Sequence, residues 1–142
     1  MKPVTDADRI CKVLKHPAIW PHVSDDSTPD DWQPMPSPSC VYLMPDDDAA
    51  CFVFNRHSGV MVEGHLAVLP EHRARGVTLG VEALAWLRLN TDARAVIGLL
   101  NAENAPARRY VERLGFVASA TIPNAAKKGG RHMDVIFYIK EL

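Results

Sequence analysis

Residues 60–87 read VMVEGHLAVLPEHRARGVTLGVEALAWL, and their hydrophobic period changes in the middle of the stretch. Before Pro70 the pattern is typical of a β-strand, and after Gly76 it is typical of a helix. The turn between them places Arg73 and Arg75 beside the first backbone N–H groups of the helix. Those groups, the positive end of the helix dipole and two guanidinium groups all favour an anion, and Gly76 allows a close approach. The stretch therefore predicts a strand–turn–helix unit with a phosphate-type site.

Length and composition limit the class of protein. The chain has 142 residues, 47% of them hydrophobic and 23% charged, which predicts a single globular domain over residues 1–142. No apolar run reaches membrane-spanning length, so we expect a cytoplasmic protein with no membrane partner. Three cysteines without metal-ligand spacing, Cys11, Cys40 and Cys51, are expected to be free thiols.

Charge is unevenly distributed along the chain. Residues 1–70 hold ten acidic and five basic side chains, whereas residues 71–142 hold seven acidic and eleven basic ones. The basic half contains the anion site, which suits a small phosphate-bearing ligand. The excess is too modest for a nucleic-acid partner to be the first expectation.

The remaining pattern predicts an α/β protein. We expect a helix over residues 5–16, a hairpin over 40–44 and 50–55, and a strand over 95–100. A second amphipathic helix follows Pro106 and ends at Gly115, and strands are expected over 116–122 and 133–139, joined by a flexible loop. Residues 17–45, with seven of the eleven prolines, form a long irregular segment. Its residues Trp20 and Trp32 either line a substrate cleft or pin the segment to the core.

One face of the strand before Pro70 carries Glu63 and His65, because alternate residues share a face. Partial burial of this pair would raise the pKa of Glu63 towards neutrality and make either residue a general base. A structural pair that bridges to a loop is the equally weighted alternative. On the helix that follows, Val77, Val81, Leu84, Ala85 and Arg88 are expected to follow one helical face that ends near Asn90.

The order of elements resembles the GNAT superfamily of acetyl-CoA-dependent N-acyltransferases. The family's phosphate-binding pattern is Arg or Gln, two residues, Gly, one residue, then Gly or Ala. It maps to Arg73, Gly76 and Thr78, where the threonine departs from the pattern. Asn104 and Ala107, followed by the Gly-Phe pair at 115–116, match a second family signature. The resemblance implies a mixed, mostly antiparallel central sheet with flanking helices and strands splayed at the cofactor site.

The resemblance also implies an activity and a set of site residues. Acetyl-CoA would donate an acetyl group to a primary amine, which the sequence does not identify. No metal is expected to take part. A homodimer is left open. The pyrophosphate would lie on Arg73, Arg75, Gly76, Val77, Thr78, Leu79 and Gly80, and the pantetheine would lie along Leu66, Ala67 and Val68. Asn104, Ala107 and Tyr110 would complete the cofactor site. Glu63 and His65 would be the catalytic residues. The Glu63-Gly64-His65 motif, with HPAIW at 16–20, is similar to small GNAT proteins of bacteriophages, which would place the protein in the host cytoplasm.

Two departures keep other functions open. Thr78 either donates to a phosphate or crowds it, and Val111 stands where many relatives carry a tyrosine that acts as general acid. A non-catalytic CoA-binding protein is therefore the main alternative. A nucleic-acid module using Arg108, Arg109, Arg113 and the loop from Lys127 to Arg131 is weaker, since such arginine patterns are usually solvated helix faces. A metal enzyme is the least expected, because the histidines are scattered.

Overall fold

The computed structural model describes all residues, 1–142, and contains one seven-stranded sheet with four α-helices. The strands lie in the order β1-β2-β3-β4-β5-β7-β6, and every neighbouring pair is antiparallel except β4 and β5. The strand bounds are β1 Lys2–Pro3, β2 Cys40–Met44, β3 Ala50–Arg56, β4 Met61–Val68, β5 Ala95–Asn101, β6 Val117–Lys128 and β7 Arg131–Glu141. The helices are α1 Ala7–Leu14, α2 Trp20–Val23, α3 Gly76–Asn90 and α4 Ala105–Arg113, with a 3₁₀ segment at Pro70–Arg75. The expected mixed, mostly antiparallel sheet is confirmed.

Alternation along the strands divides the core between the two faces of the sheet. On one face Phe52 and Phe54 of β3 pack with α3 and α4, whose buried residues include Leu84 and Val111. The opposite face carries a second apolar cluster beneath α1, whose Ile10, Val13 and Leu14 are buried there. The sheet is thus covered on both faces, and β4 lies near its middle with one side-chain row towards each core.

The start of α1 is fixed by Asp6, as its sequence position suggests. The carboxylate of Asp6 accepts hydrogen bonds from the backbone N–H groups of Asp8 and Arg9, at 3.0 and 3.2 Å. At the other end of the chain, Asn104 caps α4 in the same way, with its Oδ1 accepting from Ala107 N at 3.2 Å. This cap is significant for function because it fixes the start of α4 beside the cleft described below.

One sequence-based expectation about elements is met only in part, and another is wrong. Of the face predicted for α3, Leu84 is buried but Val81 is 54% exposed, because the packed face also uses Leu79, Ala83 and Leu87. The loop expected over residues 123–131 is instead the far end of a long hairpin, in which β6 continues to Lys128. Irregular pairing between Ile122 and Ala126 accommodates the proline inside this strand.

Candidate active site

A cleft opens where β4 and β5 separate. The two strands pair only at three positions, from Met61 opposite Ala95 to Glu63 opposite Ile97, and diverge after that. The space between and in front of them is about 920 Å³. Its walls come from the second half of β4, the second half of β5, the start of α3, α4, the α2 region and the β6–β7 hairpin. The cleft lies directly beside the strand–turn–helix unit.

Part of the β4 backbone faces this cleft without a strand partner. Leu69 N donates to Ala49 O at 3.0 Å, so the odd-numbered residues of β4 direct their N–H and C=O groups towards β3. The even-numbered residues point the other way, and beyond Glu63 no β5 residue pairs with them. Leu66 and Val68 therefore present backbone donors and acceptors to the cleft, where an extended ligand can pair with them as an added strand.

The start of α3 forms one end of the cleft. The 3₁₀ segment runs directly into the helix, and no side chain caps the helix start. Gly76 and Val77 line the cleft there, as does Arg73, whose side chain takes part in no salt bridge. A free guanidinium next to an uncapped helix start is suited to a phosphate group.

The predicted cofactor residues divide into two groups. Nine of them lie on the cleft wall: Leu66, Ala67, Val68, Arg73, Gly76, Val77, Asn104, Ala107 and Tyr110. The structure places the other four elsewhere. Arg75 extends to the β2–β3 turn and pairs with Asp47 at 2.6 Å, Thr78 is exposed off the wall, and Leu79 is buried in the core.

Gly80, the fourth of these, serves the contact between α3 and α4. A Cβ atom at this position would lie 2.7 Å from both Leu114 Cδ1 and Tyr110 Oη. The glycine is therefore needed for close helix packing, and it is absent from the cleft wall. Tyr110 itself donates its hydroxyl hydrogen to Gly76 O at 2.8 Å, and burial raises the pKa of this phenol.

Beside the cleft, near the start of β4, lies a cluster of one carboxylate and two imidazoles, which we call the Glu63 cluster (His57, Glu63 and His65). Glu63 Oε2 lies 2.8 Å from His57 Nε2, and Glu63 Oε1 lies 3.3 Å from His65 Nε2. Only 17% of the Glu63 side chain is exposed, against 46% for His65. Of the three, only His65 lies on the cleft wall.

The expectation that burial raises the pKa of Glu63 is wrong in sign. The neighbouring imidazole of His65, together with that of His57, lowers the pKa of Glu63 to about 2, against the opposing effect of partial burial. Glu63 is therefore an ionised hydrogen-bond acceptor at neutral pH and a weak base. Sequence reasoning missed His57, although the hairpin register places it opposite Met61, in line with Glu63 and His65 on one face.

Residues 18–28, the first part of the proline-rich segment, line one side of the cleft and contact the β6–β7 hairpin. The Asp26 carboxylate accepts from Gly129 N and Gly130 N at 2.7 and 2.9 Å, and Lys128 Nζ donates to Ser24 O at 3.0 Å. Neighbouring residues from both segments line the cleft, so these contacts close one side of it. This closure joins positions about a hundred residues apart, which is why no local sequence pattern indicated it.

The two tryptophans of this segment pack against each other. Their ring centroids are 5.5 Å apart, and Lys15 Nζ lies 5.9 Å from each ring. Neither ring belongs to the cleft wall, whereas Ile19 and Pro21 beside Trp20 do. The tryptophans thus anchor the segment by packing, which was one of the two expectations. Residues next to Trp20 form part of the cleft wall.

The remaining features concern metal, nucleic-acid, membrane and thiol chemistry. No group of three or more His, Cys, Asp or Glu side chains is placed to hold a metal ion. Among the arginines of α4, Arg108 is used internally, since it donates to Tyr138 Oη and Ala102 O. None of the helices is both long and apolar enough to cross a lipid bilayer. All three cysteines are free, and Cys51 is buried.

Comparisons with known proteins support the fold. No protein-family model and no curated protein matches the sequence. Among solved structures, the chain is similar to a spermidine N-acetyltransferase from Vibrio cholerae in complex with CoA and spermine, with a TM-score of 0.59 and 21% identity over 66% of this chain. A ribosomal-protein-alanine N-acetyltransferase from Brucella melitensis gives a TM-score of 0.61 and 20% identity, covering 72% of this chain and 68% of its own.

A third similar structure is assigned to a phosphinothricin N-acetyltransferase, with a TM-score of 0.63 and 20% identity over 75% of this chain and 73% of that one. The chain spans only 57% of the length of the spermidine enzyme. At these identities the likeness establishes the fold, a mixed sheet of the kind found in GNAT N-acetyltransferases.

Proposed function

We propose that this chain is an N-acetyltransferase that moves the acetyl group of acetyl-CoA to a primary amine by direct attack. The observation that carries the proposal is the separation of β4 from β5 beside an uncapped helix start that bears Arg73. The likeness to acetyltransferase folds, one of them solved with CoA, supports it. A bacteriophage origin and a role in the host cytoplasm form part of the proposal, and the amine is a small molecule or a peptide amine.

The cofactor is proposed to lie along β4. Its pyrophosphate binds at Arg73, Gly76 and Val77, where the helix dipole and the guanidinium favour negative charge. Its pantetheine arm pairs with the free backbone groups of Leu66 and Val68. This direction takes the thioester towards His65, and backbone N–H groups at the separation of the strands polarise its carbonyl.

The proton of the acceptor ammonium is proposed to pass to His65. Glu63, with a pKa of about 2, is a poor acceptor for that proton, and it lies off the cleft wall. An ionised carboxylate only accepts hydrogen bonds, so the Nε2 atom of His65 that faces it carries the hydrogen. The Nδ1 atom is then free to act as the base. Glu63 orients the imidazole and stabilises the charge that it gains.

A CoA-binding protein with little or no turnover is the second candidate. The hydroxyl of Tyr110 is engaged with Gly76 O, and Val111, at the family's tyrosine position, is buried. Neither residue supplies a free acid for the departing thiolate. Binding without amine-dependent release of CoA would support this alternative.

The anion site is tested by comparing Arg73→Ala with Arg75→Ala in calorimetric titrations with CoA. Arg73→Ala should weaken binding by about tenfold, because a charge-assisted hydrogen bond contributes about 1.5 kcal/mol or more. Arg75→Ala is the matched control and should bind nearly as the wild type does, because its guanidinium is held by Asp47 away from the cleft.

A pantetheine fragment without phosphates should bind all three proteins alike. Acetyl-CoA should also raise the melting temperature, since a hundredfold excess over Kd stabilises a folded protein by about 2.7 kcal/mol. Equal CoA affinities for the wild type and Arg73→Ala would show that the anion site has been placed on the wrong residues. Thr78→Gly, at an exposed position off the wall, should leave the affinity unchanged.

A further inference from the structure

His57 makes the shortest contact of the Glu63 cluster, yet it lies outside the cleft wall. It follows β3 in the turn before β4, and its backbone N–H donates to Met61 O at 3.0 Å, which fixes its place in the hairpin. From there its Nε2 reaches Glu63 Oε2 at 2.8 Å. His57 is therefore connected to the cleft through Glu63, which in turn contacts His65 on the wall.

We propose that His57 is a positioning residue for acetyl transfer. By occupying Oε2 of Glu63, it holds the carboxylate with Oε1 directed at His65 Nε2. His65 then keeps a hydrogen on Nε2 and presents Nδ1 to the acceptor amine. This inference rests on the proposed function, because it takes His65 as the base.

The chemistry of the carboxylate supports this arrangement. Ionised Glu63 is acceptor-only, so both Nε2 atoms that face it must be donors. On the neighbouring strands, the positions opposite Glu63 are Asn55 and Ile97, neither of which ionises. The ionisable groups that act on Glu63 are the two imidazoles. Without His57, one carboxylate oxygen has no partner, and the side chain is free to turn away from His65.

The test compares two substitutions at His57 with one control. His57→Ala removes the donor, whereas in His57→Gln the amide NH₂ still donates to Oε2. We expect His57→Ala to lower kcat about ten- to a hundredfold, by analogy with metal-ligating histidines that lose the partner orienting them, with KM for acetyl-CoA unchanged. His57→Gln should recover most of the lost rate. His132→Ala, at an exposed site on β7 outside the cleft, is the control and should leave the rate unchanged.

A second measurement does not depend on turnover. Nitrogen-15 NMR of the histidine side chains reports which ring nitrogen carries the hydrogen. In the wild type and in His57→Gln, neutral His65 should be protonated on Nε2, and in His57→Ala it should become a mixture of both forms. This result is expected even if no amine is acetylated, so it separates failure of this inference from failure of the proposed function.

Two results would overturn the inference. The first is a His57→Ala variant that keeps the wild-type rate and in which His65 keeps the wild-type protonation pattern. The second is a His57→Gln variant as impaired as His57→Ala, which would exclude positioning through a hydrogen bond to Oε2. Circular dichroism and the melting temperature of each variant show whether a loss of rate reflects unfolding.

Discussion

Replacement of Glu63 by glutamine tests the electrostatics of the Glu63 cluster through stability. The pKa of this carboxyl falls from an ordinary 4.5 to about 2 in the folded protein. At about 1.4 kcal/mol per pKa unit, this shift corresponds to about 3 kcal/mol of stability. Since 17% of the side chain is exposed and screened by solvent, we expect about 2 kcal/mol. Glutamine keeps the shape and cannot ionise.

The pH dependence gives the sign of the effect. Because the folded pKa lies below the unfolded one, the stabilisation is present above about pH 4.5 and is lost as the pH falls towards 2. Urea unfolding of wild type and Glu63→Gln from pH 6 to pH 2.5 should therefore show a difference of about 2 kcal/mol that shrinks at the acid end. A difference that stays constant across this range would refute the assignment of a strongly lowered pKa to Glu63.

Two further substitutions test packing and the closure of the cleft. Gly80→Ala should destabilise the fold by about 1–3 kcal/mol in urea unfolding, because the new methyl group would overlap Leu114; an unchanged midpoint would contradict the close approach of α3 and α4. Asp26→Ala should speed hydrogen exchange at the amides of Gly129 and Gly130, which lose their acceptor, while global stability changes little at this exposed site. Unaltered exchange at both amides would show that the contact does not hold in solution.

Local sequence signals predicted the elements around the cleft well. The period change at Pro70 and Gly76 located β4 and α3, and the stripe that ends at Gly115 located α4. The separation of β4 from β5 followed from the resemblance alone, since no residue pattern marks where two strands stop pairing. In α3, apolar side chains occur on nearly all sides, so the sequence could not identify the buried face.

The parts that were missed depend on which side chains contact one another. Arg75 has the same local sequence signal as Arg73, but Asp47 from another turn holds it away from the cleft. The direction of the pKa shift of Glu63 depends on its hydrogen bonds with His65 and His57, which outweigh the burial effect that the sequence argument used. In both cases the local pattern located the residue, and its side-chain partner determined what the residue does.

Amine-dependent release of free CoA thiol from acetyl-CoA tests the proposed activity most directly. The folded protein should release thiol with at least one primary amine of a broad panel, ranging from small molecules to peptide amines. His65→Gln should lower that rate by about 10²–10⁴ while acetyl-CoA affinity is retained. Saturable binding of acetyl-CoA with no amine-dependent thiol release across the panel would contradict the proposed acetyl transfer, and no binding at millimolar acetyl-CoA would contradict the cofactor assignment as well.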